Sequence, residues 1–156
     1  LQGRTNIYSR LVSHYMESGD EEKMIERLEQ WRQISPEDLR SRLSLGKIYL
    51  GKGDAESTAK AVKVLDEVIF INPFDLKLHK ELARAASSSG AHEISIREYK
   101  LLLTYPETNP RTAYLALAKA DLGLGDKKEA ASFARKVLGI DGDNAEAKKI
   151  LEQSGK

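Results

Sequence analysis

A glycine–aspartate pair recurs along this 156-residue chain at a nearly constant step. It stands at Gly19-Asp20, Gly53-Asp54 and Gly125-Asp126, with a degenerate copy at Gly90-Ala91. Successive glycines are 34, 37 and 35 residues apart. Self-similarity at that period, in a chain this helical, marks a solenoid of stacked helix-turn-helix units. Glycine takes the left-handed conformation that ends one helix, and aspartate caps the next. Such a fold moves the functional question from which reaction is run to which partner is held.

A second periodic signal runs alongside. Ser35-Pro36, Asn72-Pro73 and Asn109-Pro110 are 37 and 37 residues apart. Each joins a good N-cap side chain to proline, which fits the first helical position, so each is expected to open the first helix of a repeat. Between these marks the apolar residues follow a period of 3.6. One run is Ile7, Leu11 and Tyr15; another is Val62, Leu65 and Ile69. The reading is eight helices in four pairs, with repeats at 5–36, 37–73, 74–106 and 110–143. A ninth helix over 144–153, capped by Asn144, would close the last repeat, which has no neighbour to cover it. The expected fold is all-α: a right-handed α-solenoid of about four helix-turn-helix repeats plus a C-terminal capping helix, in a single domain over 1–156. About three extra residues near Ala55 to Thr58 should lengthen that inter-helix turn or add a helical turn. The chain begins at Leu1, which suggests a piece of a longer protein.

These residues carry a resemblance to the tetratricopeptide repeat (TPR) family over nearly the whole chain. In the fourth unit Tyr114 stands at the first aromatic position, Leu117-Ala118 at the Leu-Gly step, Ala130 at the alanine of the second helix and Val137-Leu138 at the closing pair. The second unit supplies Leu45-Gly46, Tyr49, Ala61, Leu65 and Asn72-Pro73; the first supplies Tyr8, Leu11, Tyr15, Leu28 and Pro36. The third is the most diverged, with His79 in place of the aromatic and Ser95 in place of the alanine.

Nothing in the sequence favours catalysis. There is no cysteine, and His14, His79 and His92 have no metal-ligand spacing. No phosphate-cradling glycine loop or nucleophile elbow is present, and Gly51-Lys52-Gly53 reads as a helix terminus. Asp20-Glu21-Glu22 complements the positive end of a helix. His79 reads as a packing or interface side chain and Trp31, the sole tryptophan, as core. The expectation is a non-enzymatic protein with no cofactor, no metal and no direct membrane insertion. A net charge of +1 gives no support to nucleic acid as a partner.

The resemblance implies that the first helices of successive repeats line a concave groove that binds a peptide. Its floor would hold Arg40, Leu43, Lys47 and Leu50 in the second unit, and Lys77, Lys80, Arg84, Ser87 and Ser88 in the third. Thr112, Leu115, Lys119 and Leu122 follow in the fourth, with Asn6, Ser9, Ser13, Met16 and Glu17 in the first. That set carries six basic side chains and one acidic one in a nearly neutral chain. Lys77, Lys80 and Arg84 follow i, i+3, i+7 and share one stripe. The implied function is a protein–protein interaction scaffold whose basic groove takes an acidic peptide or partner segment. Ser9, Ser13 and Ser44 stand where one TPR subtype places its Lys and Asn ligands for a terminal carboxylate, which argues against that clamp. Alternatives are an accessory or oligomerisation domain of a larger enzyme or envelope protein, self-association through an uncapped first repeat and, behind these, an RNA-binding helical repeat.

Overall fold

The computed structural model describes residues 2–155, with side chains from Ile7 onward. The side chain of Asn6 therefore lies outside the described residues. Among the described residues there are nine α-helices and no strand. They are α1 (Gln2–Ser18), α2 (Glu21–Ile34), α3 (Leu39–Lys52), α4 (Ala55–Ile71), α5 (Leu76–Ser89), α6 (His92–Leu102), α7 (Pro110–Gly123), α8 (Lys127–Ile140) and α9 (Ala145–Gln153). The chain divides into two compact units, Leu1–Pro73 with α1 to α4 and Phe74–Lys156 with α5 to α9.

The glycine–aspartate turns form as their chemistry dictates. Gly53 and Gly125 adopt φ of +71° and +82°, a conformation that costs other residues a Cβ clash. The following aspartates cap: Asp54 Oδ1 accepts the Ser57 N–H at 2.8 Å and Asp126 Oδ1 accepts the Glu129 N–H at 3.1 Å. The Asp126 N–H itself donates to the Asp121 carbonyl at 2.8 Å. At the degenerate copy Gly90 is also left-handed, but Ala91 offers no side-chain cap. The three extra residues of the second pair add most of a helical turn, so α4 runs to 17 residues where α3 has 14.

Two of the three proline dipeptides act differently from expectation. Asn109 caps α7, with Pro110 its first residue. Ser35 and Asn72 instead terminate α2 and α4, donating their N–H groups to the Trp31 and Val68 carbonyls. The caps of the next helices lie three residues later, at Asp38 and Asp75, and those helices start at Leu39 and Leu76. Ser or Asn followed by proline also fits the first two positions of a tight turn. The Asp38 N–H closes one such turn on the Ser35 carbonyl at 3.0 Å.

In the first unit α2 packs against both α1 and α3, and α3 against α4. Its core joins Leu28, Trp31, Leu45, Tyr49, Ala61 and Val64, with Tyr8, Val12, Met24 and Ile25 against them. Gly46 is buried, and a Cβ there would meet the Leu65 side chain, with Leu65 Cγ at 2.8 Å. The Leu-Gly step thus lets α3 and α4 close on each other. In the second unit the core is alanine-rich: Ala83, Ala113, Ala116, Ala118, Ala130, Ala134 and Ala147 surround Leu102, Leu117 and Val137. Helix α9 packs on α8 and α7 through Ala147 and Ile150 and turns Glu146, Lys148, Lys149 and Glu152 outward.

Candidate partner-binding surface

The basic stripe of α5 forms because Leu78, His79, Leu82, Ala83, Ala85 and Ala86 occupy the buried side of that helix. Lys77 and Arg84 are left exposed and Lys80 half-buried. Lys77 lies 3.9 Å from Glu81 one turn on, whereas Lys80 and Arg84 carry no ion pair among the described residues. Both line a cleft of about 240 Å³ in the second unit. Tyr99, Leu102 and Ala113 form its apolar lining, and Glu107, Thr108, Asn109 and Thr112 complete it. Burial pushes the Tyr99 hydroxyl above its ordinary pKa, against the opposing pull of the Arg84 charge. The arrangement offers cationic and hydroxyl donors beside an apolar contact, which suits a partner side chain bearing a carboxylate.

On α7 Thr112 and Lys119 are exposed and Leu115 and Leu122 half-buried against the core. Lys119 is engaged within the chain by Glu146 of α9 at 2.9 Å. In the first unit Arg40 and Lys47 are exposed on α3 with no ion pair among the described residues, and Leu43 and Leu50 are half-buried. Ser13 is exposed, and Ser9 and Ser44 are half-buried. Lys77, Lys80, Arg84, Leu115 and Lys119 therefore belong to the second unit, and Arg40, Leu43 and Lys47 to the first.

Other side chains have structural roles. Trp31 is 3% exposed and belongs to the core. His79 is buried and its Nδ1 meets the buried Glu98 carboxylate of α6, which Arg97 Nη2 also engages at 2.6 Å. Glu98 was invisible in the sequence because its partner is 19 residues away on another helix. Glu107 sits in the 103–109 connection, outside the repeat pattern, where helical period gives no signal. Asp121 of α7 is buried with its Oδ2 unpartnered; burial pushes its carboxyl up, against the pull of Lys100. Among the described residues no three His, Asp or Glu side chains gather to hold a metal ion. No described helix is long and apolar enough to cross a membrane.

The tetratricopeptide repeat family model matches residues 112–144, which take in α7 from its third residue, the Gly125-Asp126 turn and all of α8. Residues 112–144 form a tetratricopeptide repeat. No curated protein matches it. A crystal structure of MamA protein superimposes with a TM-score of 0.59 at 17% identity, covering 99% of this chain and 91% of that one. The structure titled MamA MSR-1 C2 gives 0.61 at 18% identity over 97% and 84%. MamA 41-end from Desulfovibrio magneticus RS-1 gives 0.53 at 15% identity over 96% and 90%. These similarities show the fold, an all-α helical-repeat solenoid. Tetratricopeptide folds are generally scaffolds that bind protein partners and are typically non-enzymatic.

Proposed function

We propose that this tetratricopeptide protein holds an acidic peptide segment of a partner on the α5–α7 face of its second unit. The observation that carries the reading is the pair Lys80 and Arg84, lining a cleft of about 240 Å³ and held in no ion pair among the described residues. Cations at a partly desolvated concavity raise the encounter rate of an anionic segment and fix its register. Lys77 extends the stripe at its start, and Leu115 and Lys119 extend the face along α7. Arg40, Leu43 and Lys47 offer a second contact of the same type on the first unit. Titration of an acidic peptide against the wild type and against Lys77→Glu/Arg84→Glu tests the reading. Affinity should fall at least about tenfold, equivalent to about 1.4 kcal/mol; equal affinity for both proteins refutes it.

A second reading is self-association through the first helix pair. It is favoured by a cleft of about 280 Å³ lined by Ile7, Tyr8, Leu11, Arg27, Gln30 and Ile34, where Ile7 is 58% exposed. Light scattering that returns a monomer across a wide concentration range removes it.

A further inference from the structure

Glu107 lines the same cleft as Lys80 and Arg84, and among the described residues none of the three carries an ion pair. Two cations thus sit on α5 and one carboxylate in the α6–α7 connection, around one cavity, without neutralising each other. The connection holding Glu107 is ordered by its own hydrogen bonds. Thr104 Oγ1 donates to the Leu101 carbonyl at 2.7 Å, and the Tyr105 N–H donates to the Leu102 carbonyl at 3.0 Å. The Thr108 N–H donates to the Tyr105 carbonyl at 3.1 Å, and Thr108 Oγ1 donates to the Leu102 carbonyl. Glu107 is therefore presented from a fixed backbone and not swept through solvent, which lowers the ordering cost of any contact it makes. Tyr99, Leu102 and Ala113 supply the apolar surface of the cavity.

We infer that this cleft is a bipolar subsite: it takes an acidic side chain against Lys80 and Arg84 and, on the same partner segment, a basic side chain against Glu107, with an apolar residue on Tyr99 and Leu102. This rests on the acidic-segment reading and narrows it. A uniformly acidic segment places a like charge against Glu107, and like charges at an interface reject a partner as effectively as opposite charges select one. Glu107 is then a specificity-determining residue, not a spectator on a loop.

The test is selection of random peptides on an array by the 156-residue chain, as wild type, Glu107→Lys and Lys80→Glu/Arg84→Glu, with circular dichroism confirming that each variant is folded. Wild-type binders should be enriched for an acidic residue and a basic residue separated by an apolar one. Glu107→Lys should shift the basic position to acidic, and Lys80→Glu/Arg84→Glu should shift the acidic position to basic. A selected peptide should lose about tenfold in affinity for Glu107→Lys and regain it when its own basic residue becomes glutamate. Binders rich in acid alone, with the same enrichment for Glu107→Lys, overturn the bipolar site and leave the acidic-segment reading standing. Enrichment with no charge pattern in any protein, or no binders at all, overturns both.

Discussion

In the first unit Arg32 binds Glu29 at 2.8 Å and Glu67 at 2.5 Å, Arg42 binds Glu67 at 2.8 Å, and the Tyr49 hydroxyl donates to Glu29 at 3.2 Å. In the second, Lys80, Arg84 and Glu107 surround a cleft with no such closure, while a different pair, His79 and Glu98, is buried beneath. The first arrangement ties α2, α3 and α4 together. Arg42 adds bonds to the Asp38 and Ser35 carbonyls at 3.1 and 3.4 Å, so one guanidinium holds the α2–α3 turn and α4 at once. The second arrangement leaves its surface charge available and places its locking charges in the interior. Charged side chains thus do opposite work in the two units, and the difference is whether they close ion pairs with one another or stand around a cleft unpaired.

Glu98→Ala removes the carboxylate shared by His79 and Arg97 in a buried site, and a loss of about 3 kcal/mol in denaturant unfolding is expected. Glu67→Ala removes the hub of the first network. Because that side chain is 40% exposed, solvent screens the pair and the expected loss is nearer 1–2 kcal/mol. A loss as large as that of Glu98→Ala would erase the distinction between interior lock and surface tie. Ser95→Ala should stabilise by about 1 kcal/mol, since Ser95 is fully buried with an unpartnered hydroxyl. Asp121→Asn addresses pH. Burial raises the folded-state pKa of Asp121, so its contribution to stability is fully present below the ordinary carboxylate pKa and is lost as pH rises through the raised value. The wild type should therefore gain stability relative to Asp121→Asn on acidification through that window; parallel stability–pH curves contradict it. The smallest effect belongs to Lys80→Glu/Arg84→Glu, whose unfolding free energy should stay within about 0.5 kcal/mol of wild type. A large loss would make the α5 cations structural, like those of the first unit.

What the sequence disclosed divides along the same line. The Gly-Asp turns were readable because their chemistry is local: a left-handed glycine and a carboxylate three residues before the N–H it accepts. Asp38 and Asp75 are not legible as caps because Ser35-Pro36 and Asn72-Pro73 satisfy the rules for a helix start and for a turn equally well. Only the N–H bonds to Trp31 and Val68 decide between them. His79 stood out as a histidine at an aromatic position, yet Glu98 could not be attached to it from spacing. The α5 stripe followed from helical period, whereas Glu107 lies where the period is interrupted. Lys119 was readable as a basic residue facing out of α7, but not its partner Glu146, which belongs to the closing helix. Contacts within one turn are written in spacing; contacts between helices depend on how close two backbones come.

The alanine-lined contacts of α7 and α8 give the second unit a one-sided mutational spectrum. A side chain that is already a single methyl has almost nothing to lose to truncation, so the deep cavities that follow Leu→Ala changes elsewhere do not arise at Ala118, Ala130 or Ala134, each 0% exposed. Injury there comes from gain of volume, because each added methylene pushes two close helices apart. The first unit, built on Leu28, Trp31, Leu45 and Leu65, is vulnerable in the opposite direction. Drift by random substitution would therefore enlarge gaps in the one and pry open seams in the other.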